Sequence, residues 1–260
     1  MTDHAASRPD AASGAGDSDR YLRGCETLLA SWDEIAQGST GAVLHRSSGV
    51  ATAVFPNAPE RSFYNNALLD RDLGPSARST AVDVMQAAYE AAGIESYAAW
   101  VHESDEAMRA ELTDRGYSHN ETTRAMGLSL QDAALSPADI ELGPADWPEY
   151  VDFLESLGVP QGLLRGTDPD AFHLLAARLD GENVAVGLAY DHDGDCGVFN
   201  VTTIEAARRR GLGAALTVHL LIDARARGCS TASLQSTPMA ENVYTAIGFH
   251  DLGRIFEYGP

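Results

Sequence analysis

Residues 208–216 read Arg-Arg-Arg-Gly-Leu-Gly-Ala-Ala-Leu, and this stretch decides how the whole chain is interpreted. It lies between an apolar run at 198–201 and a long apolar pattern with helical spacing. Glycine lets the backbone turn tightly and approach a ligand without an obstructing Cβ atom. The first amides of a helix have no intrahelical partner, and the positive end of the helix dipole favours an anion. The stretch therefore predicts a binding site for a pyrophosphate at a strand-to-helix junction.

The turn has several interpretations, of which a solvated basic turn that caps a helix is the simplest. The order of a strand, Arg208-x-x-Gly211-x-Gly213 and a helix resembles the phosphate-binding motif of the GNAT superfamily of acyl-CoA N-acyltransferases, Gln/Arg-x-x-Gly-x-Gly/Ala. A dinucleotide-binding Gly-x-Gly-x-x-Gly is incomplete, because Leu216 stands where the third glycine belongs. A P-loop is excluded, because the chain contains no lysine.

The composition limits the class of protein further. The chain has 260 residues, enough for one large or two ordinary domains, and a formal net charge of −20. An acidic chain is poorly suited to nonspecific binding of nucleic acid, which depends on cations. No apolar run approaches the roughly 18 residues of a membrane span and no signal-peptide core is present, so we expect a cytoplasmic protein without membrane contact. Three widely spaced cysteines and eight histidines without ligand spacing predict no metal site.

The pattern of elements predicts two domains. We expect a disordered tail at 1–20, a first domain at 21–130, a linker at 131–138 and a second domain at 139–260. In the first domain we expect helices at 21–37, 76–92 and 105–114, strands at 41–45, 50–55 and 97–101, and a last strand that follows Gly116 and ends at 130.

The second domain carries the order of elements found in the GNAT superfamily. Its last helix and strand contain Asn242, Tyr244 and Gly248-Phe249, which resemble, with imperfect spacing, the family theme Asn-x-x-Ala-x-x-Tyr-x-x-x-Gly-Phe. Two motifs in the correct order make coincidence a weak explanation. The expected strands are 140–142, 172–178, 184–190, 196–203, 231–235 and 249–258, and the expected helices are 147–157, 214–227 and 241–247.

The two halves of the chain repeat one another. Arg115-Gly116-Tyr117 aligns with Ile247-Gly248-Phe249 at an offset of 132 residues, and the same offset aligns Leu112 with Tyr244. The segment before the first long helix, residues 73–79, contains no Arg-x-x-Gly-x-Gly. The resemblance therefore implies a tandem protein whose N-terminal copy is degenerate and lacks the phosphate-binding turn.

The resemblance also implies which residues bind the coenzyme. In the family an amine attacks the thioester of acetyl-CoA directly, and the backbone of the strand before the turn binds the acyl carbonyl and the pantetheine arm. The turn binds the pyrophosphate through backbone amides, with arginine side chains adding charge-assisted hydrogen bonds. The implied coenzyme ligands are Val201, Thr202, Thr203, Arg208, Arg209, Arg210, Gly211, Leu212, Gly213, Ala214 and Asn242.

Tyr244 stands where the family has its general acid, which protonates the departing coenzyme A thiolate. A core aromatic is the other interpretation of this tyrosine. The general base is not identified by the sequence, and its candidates near the expected cleft edge are Glu205, His192, Asp191 and Glu257.

Two further groups of residues stand near the expected acceptor site. Ser236 and Thr237, at the end of a strand, would orient the substrate or cap the following helix. Three aromatic residues are expected to pack the core and, by resemblance, to wall the acceptor pocket; they are Trp147, Tyr150 and Phe153.

Together these observations predict an α/β (α+β) protein with two GNAT-like domains, each a mixed, mostly antiparallel sheet flanked by helices. The expected function is transfer of an acetyl group from acetyl-CoA, as cosubstrate, to a primary amine of a small molecule. A protein N-terminus or a lysine side chain is the other acceptor class. The alternative function is a noncatalytic sensor or scaffold that binds acyl-CoA, and a homodimer is compatible with either.

Overall fold

The computed structural model describes residues 11–57, 64–158 and 162–260. The helices are α1 (Ala11–Gln37), α2 (Pro75–Ala91), α3 (Glu106–Asp114), α4 (Trp147–Ser156), α5 (Leu212–Arg227) and α6 (Glu241–Ile247). The strands are β1 (Val43–Ser47), β2 (Val50–Val54), β3 (Asn66–Leu69), β4 (Ala98–His102), β5 (Ser118–Ser129), β6 (Leu142–Pro144), β7 (His173–Leu179), β8 (Glu182–His192), β9 (Asp195–Thr203), β10 (Thr231–Ser236) and β11 (His250–Gly259).

The eleven strands of the described residues form one mixed sheet, in the order β1-β2-β3-β4-β11-β5-β10-β9-β8-β7-β6. Two pairs are parallel, β3 with β4 and β9 with β10, and every other pair is antiparallel. A mixed sheet flanked by helices is confirmed. The expectation of two separate sheets is corrected, because the two halves share a single one.

The last strands of the two halves are exchanged. β5, from the first half, pairs with β10, and β11, from the second half, pairs with β4. The two exchanged strands lie side by side at the centre of the sheet, where Thr123 is the direct partner of Ile255. The offset of 132 residues, seen in the sequence, maps the first of these residues onto the second. The sheet is therefore symmetric in its connectivity about this pair.

The helices lie on the two faces of the sheet. Buried residues of α2 and α3 pack with one side of β2, β4 and β11, and those of α5 and α6 pack with the same side of β5, β9 and β10. The long helix α1 lies on the other face with α4. None of the helices in the described residues is long and apolar enough to cross a membrane.

The first helix begins earlier than the sequence predicted. The expectation of a disordered tail is wrong for residues 11–20, which form the start of α1, whereas residues 1–10 lie outside the described part. Tertiary contacts hold this start, because Arg71 donates a hydrogen bond to the Ser18 hydroxyl and stacks over the Tyr21 ring at 4.6 Å. Helix α1 then crosses strands of both halves and joins them.

A buried carboxylate fastens α1 to the second half. Asp195, only 1% exposed, accepts hydrogen bonds from the hydroxyls of Thr27 (2.8 Å), Ser233 (2.7 Å) and Thr231 (2.7 Å). Three donors around one acceptor group replace the water that the carboxylate loses on burial.

We expect Asp195→Ala to lower the free energy of unfolding by about 3 kcal/mol, because it leaves buried hydroxyl donors without acceptors. Urea denaturation measures the change. Asp19→Ala, which removes an exposed carboxylate from α1, is the control and should be near neutral. Equal stability of the two variants would contradict the role given to this carboxylate.

Candidate active site

A cleft opens between two neighbouring parallel strands of the second half. β9 and β10 pair only from Asp195 with Thr231 to Gly197 with Ser233. Beyond these residues the two strands diverge toward their C-terminal ends. The separation leaves backbone groups of residues 198–203 without a partner strand on that side, so they are available to a ligand.

A β-bulge shapes the β9 wall of this cleft. Leu188 of β8 faces Phe199, but Val186 faces Thr202, so β9 carries one extra residue at this point. Asn200 takes a left-handed conformation there, with a φ of 49°, and its side-chain amide donates a hydrogen bond to the Tyr150 hydroxyl at 3.0 Å. Bulges redirect backbone and side chains, and they are frequent next to functional sites.

The arginine-glycine stretch forms the turn that leads from β9 into α5. Arg209 (φ 63°) and Gly211 (φ 77°) both have left-handed backbones, and the first α-helical bond runs from the Ala215 amide to the Gly211 carbonyl at 2.9 Å. Within the described residues the backbone amides of 209–214 donate no hydrogen bond. Successive unpaired amides at the start of a helix are a ready site for an anion.

The three arginines of the turn, Arg208 to Arg210, are exposed and add positive charge to it. The Arg208 side chain donates to the Thr203 carbonyl at 3.3 Å, which ties the turn to the end of β9. None of the three forms an ion pair with another residue of the described ranges, although the chain has 38 acidic residues. Their charge is therefore free to meet an anionic ligand.

Two of the residues implied by the resemblance pack together at the head of α5. A Cβ on Gly213 would lie 3.6 Å from the Val201 side chain, so the helix packs closely on β9 at this point. Val201 also packs against a larger hydrophobic cluster that contains Tyr244 of α6 and residues of the later turns of α5. Val201 of β9 therefore links the start of α5 to the cluster that contains Tyr244.

Tyr244 is a largely buried aromatic with an unpaired hydroxyl. It is 9% exposed and packs edge to face against Phe249, with ring centroids 5.9 Å apart. Burial raises the pKa of its hydroxyl, so the group stays protonated at neutral pH. The hydroxyl makes no hydrogen bond within the described residues and is not sealed from the surface. Both interpretations of this tyrosine, as a core residue and as a proton donor, are compatible with this position.

The other residues implied by the resemblance differ in how far they are buried. Thr202 and Thr203 are half-buried on β9, whereas Asn242 is exposed on α6. The Ser236 hydroxyl donates to the Thr237 carbonyl, and α6 begins after Ala240 without a side-chain cap, so the capping role considered for the two hydroxyl residues is wrong. Trp147, Tyr150 and Phe153 are buried, as expected of core residues.

The base candidates separate into different parts of the fold. Asp191 and His192 lie at the end of β8, opposite Cys196 and Asp195 at the start of β9, which is the far end of β9 from the turn. Their expected place at the cleft edge is therefore wrong, and the Asp191 carboxylate is held by two hydrogen bonds from Arg227.

The remaining two candidates differ in their surroundings. Glu205 is exposed just before the turn, in a short 3₁₀ segment. Glu257 lies on β11, and burial together with the nearby Glu121 charge raises its pKa to about 7. Within the part of the chain that is described, no cluster of three or more His, Cys, Asp or Glu side chains is placed to hold a metal ion.

Sequence reasoning overlooked two residues that shape this region. Asn200 forms the bulge, and the only local signal was that asparagine tolerates the left-handed conformation better than most residues. Asp195 anchors α1 through a hydroxyl of the first half, and a contact over 168 residues leaves no local pattern.

Comparison with known proteins agrees with this geometry. The model of the Acetyltransferase (GNAT) family matches residues 137–249, which cover β6 to the end of α6. The second half of the chain is therefore similar in sequence to acetyltransferases of this family. No curated protein matches the sequence.

Solved structures show that the likeness of fold extends over nearly the whole chain. A GCN5-related N-acetyltransferase from Kribbella flavida is 16% identical with a TM-score of 0.69, over 92% of this chain and 95% of that one. One from Sphaerobacter thermophilus is 15% identical with a TM-score of 0.60, over 90% and 84%. A tandem GNAT protein from the clavulanic acid biosynthesis pathway is 14% identical with a TM-score of 0.58, over 95% and 97%.

Proposed function

We propose that the protein is an N-acetyltransferase that transfers an acetyl group from acetyl-CoA to a primary amine of a small molecule. The observation that carries the proposal is the turn of residues 209–214, whose unpaired amides lie beside unpaired arginines at the mouth of the β9–β10 cleft. A pyrophosphate supplies the charge and the acceptors that such a turn lacks. The family match over residues 137–249 supports the thioester chemistry.

The proposed reaction is a direct transfer. The amine nitrogen forms a bond to the thioester carbonyl carbon, the carbon–sulfur bond breaks, and the nitrogen loses a proton to a base or to water. The coenzyme A thiolate leaves with the bonding electron pair and takes a proton from Tyr244. The backbone of Val201, Thr202 and Thr203 would hold the pantetheine arm, and Asn242 would contact the coenzyme from α6.

We propose further that the first half is a degenerate copy without a coenzyme. Its order of strands and helices parallels that of the second half, and the symmetric pairing of Thr123 with Ile255 supports a duplication. The turn before α2 ends in Gly74-Pro75, and proline has no amide hydrogen to offer an anion. The Asp72 amide already donates to the Asp105 carboxylate at 3.1 Å.

Reversing one charge in the turn tests the proposal. We expect Arg209→Glu to weaken acetyl-CoA binding about 10- to 100-fold, because a charge-assisted hydrogen bond is replaced by repulsion of the diphosphate. Isothermal titration calorimetry measures the affinity. Arg46→Glu, on the remote strand β1, is the control; equal affinity in both variants would place the coenzyme elsewhere.

The alternative is a noncatalytic sensor or scaffold that binds acyl-CoA. Both functions predict thermal stabilisation by acetyl-CoA. Only the enzyme predicts release of the coenzyme A thiol when a panel of amines is added. Stabilisation without thiol release from any amine would favour the alternative.

A further inference from the structure

A row of side chains crosses the centre of the sheet on the face that carries α1, and it ends at an exposed glutamate. Glu257 of β11 is the direct partner of Glu121 on β5 and of Trp100 on β4. Residues directly opposite in an antiparallel pair point to the same face, with Cβ atoms about 5 Å apart. Trp100 packs against Trp32 of α1, with ring centroids 5.5 Å apart, which fixes the face. We call Trp100, Glu257 and Glu121 the central row.

The two carboxylates of the central row have no positive partner. Neither Glu257 nor Glu121 forms an ion pair or a hydrogen bond within the described residues. Like charges directly opposite in a sheet are destabilising, and burial adds to this cost at Glu257. By contrast, the neighbouring Arg124 of β5 points to the other face, where it binds the Glu241 carboxylate at 2.9 Å. Glu257 and Glu121 therefore have no cation of the kind that Arg124 provides for Glu241.

A second, independent observation points to a ligand at this place. The indole Nε1 of Trp100 and the hydroxyl of Thr123, two residues from Glu121 on the same face, are fully buried and have no hydrogen-bond partner. Most buried polar atoms in proteins are satisfied, so two unsatisfied atoms on the face that carries the two unpaired carboxylates point to a missing polar partner.

The central row lies close enough to the proposed transfer site for one small acceptor molecule to contact both. Ser236, the last residue of β10, pairs with residue 124, so Glu121 lies three residues further along β5, about 10 Å away. It lies on the side where β9 and β10 diverge. Trp100 and Gln235 of β10 also line one small cavity beneath α1. A molecule with two charged ends would reach from the cleft to the row.

We infer that the central row binds a second ammonium group of the acceptor, so that the enzyme acts on small aliphatic diamines or polyamines. One amine enters the cleft and is acylated. The other lies between the Glu257 and Glu121 carboxylates and against the Trp100 ring, where ion pairs and a cation–π contact hold it. This inference rests on the proposed function.

Transfer to a matched pair of amines tests it. With acetyl-CoA saturating, kcat/KM for 1,5-diaminopentane is expected to exceed that for 1-aminopentane about 10- to 100-fold, the value of a charge-assisted hydrogen bond. Glu257→Gln should bring the ratio close to one, whereas loss of a general base would lower kcat for both amines and leave the ratio unchanged. Glu90→Gln, on the exposed side of α2, is the control and keeps the ratio. An equal rate for both amines in the parent protein, or an unchanged ratio in Glu257→Gln, overturns the inference.

Binding without turnover separates this inference from the proposed function. If no amine is acylated but 1,5-diaminopentane raises the Tm of the parent protein and not that of Glu257→Gln, the central row binds an ammonium group and the enzyme proposal is wrong. If monoamines and diamines are acylated at equal rates, the enzyme proposal is supported and the inferred role of the central row is wrong.

The pH dependence of stability gives a readout that needs no substrate. The pKa of Glu257 in the folded protein, about 7, lies above its value in the unfolded chain, so folding loses stability as the pH rises from about 4.5 to 7. The charges facing it are Glu121 and no cation of the described residues. Glu257→Gln should therefore raise Tm by about 5 °C at pH 8 and leave it unchanged at pH 4.5. Diamine should stabilise the parent protein more at pH 8 than at pH 5, and equal shifts would contradict the site.

Discussion

Tyr244→Phe is expected to lower kcat at least about 100-fold while the affinity for acetyl-CoA stays unchanged. The substitution removes one oxygen from a ring that is already packed against Phe249, so the fold loses little. Burial raises the pKa of the hydroxyl and keeps its proton in place until a thiolate forms beside it. Steady-state kinetics with thiol detection measure kcat, and calorimetry measures coenzyme binding.

A matched substitution separates a proton donor from a packing residue. Tyr258 is also buried and its hydroxyl makes no hydrogen bond within the described residues, but it belongs to the core cluster of the first half. Tyr258→Phe should leave kcat unaltered. If Tyr244→Phe retains full activity, the core interpretation of Tyr244 is correct. The proton for the coenzyme A thiolate then comes from solvent or from another group.

The part of the fold with strong local signals was predicted well from the sequence. The predicted helix ends at 227 and 247 are confirmed, and the glycines that follow them, Gly228 and Gly248, both have left-handed backbones. The turn at 208–213 was predicted from residue types alone, and its φ angles and free amides follow from those types. Glycines and helix starts are encoded within a few residues, which is why these features are readable.

Features that depend on contacts between residues far apart in the chain could not be predicted from the sequence. Nothing within β5 or β11 indicates that each pairs with strands of the other half, because the partner of a strand is chosen by contacts far away in sequence. The start of α1, rich in Ala, Ser, Gly and Asp, resembles a tail until Arg71 and its neighbours bind it. Strand β3 has only four residues and was overlooked for that reason.

The candidate site likewise has one part that a local motif predicts and one part that only the fold brings together. The arginine-glycine turn is a local motif, so its left-handed backbone and unpaired amides could be predicted from the sequence. The acceptor side requires residues from β4, β5 and β11 to lie in one row, and only the sheet register brings Trp100, Glu121 and Glu257 together. In the sequence Glu257 was one of four base candidates with nothing to distinguish it, because burial is a property of the folded chain.

The second large effect is expected at the first glycine of the turn. Gly211 has a φ of 77°, a conformation that a β-branched residue adopts only at a cost of about 2 kcal/mol. In Gly211→Val the turn relaxes toward a negative φ, and the amides of residues 212–214 no longer converge on one point. Because that strain must be overcome before the coenzyme binds, we expect its Kd to rise about 30-fold.

The neighbouring glycine provides the control for this effect. Gly213 lies in the first turn of α5 with an ordinary backbone, and an added Cβ would meet Val201 at 3.6 Å, a normal contact. Gly213→Ala should therefore keep coenzyme affinity, while Gly211→Ala should fall between the parent protein and Gly211→Val. Calorimetric Kd values in this order, with Tm confirming that each variant is folded, tie binding to the geometry of the turn. If Gly211→Val binds acetyl-CoA as tightly as Gly213→Ala does, the coenzyme does not rest on these amides, because no anion bound there tolerates a displaced turn.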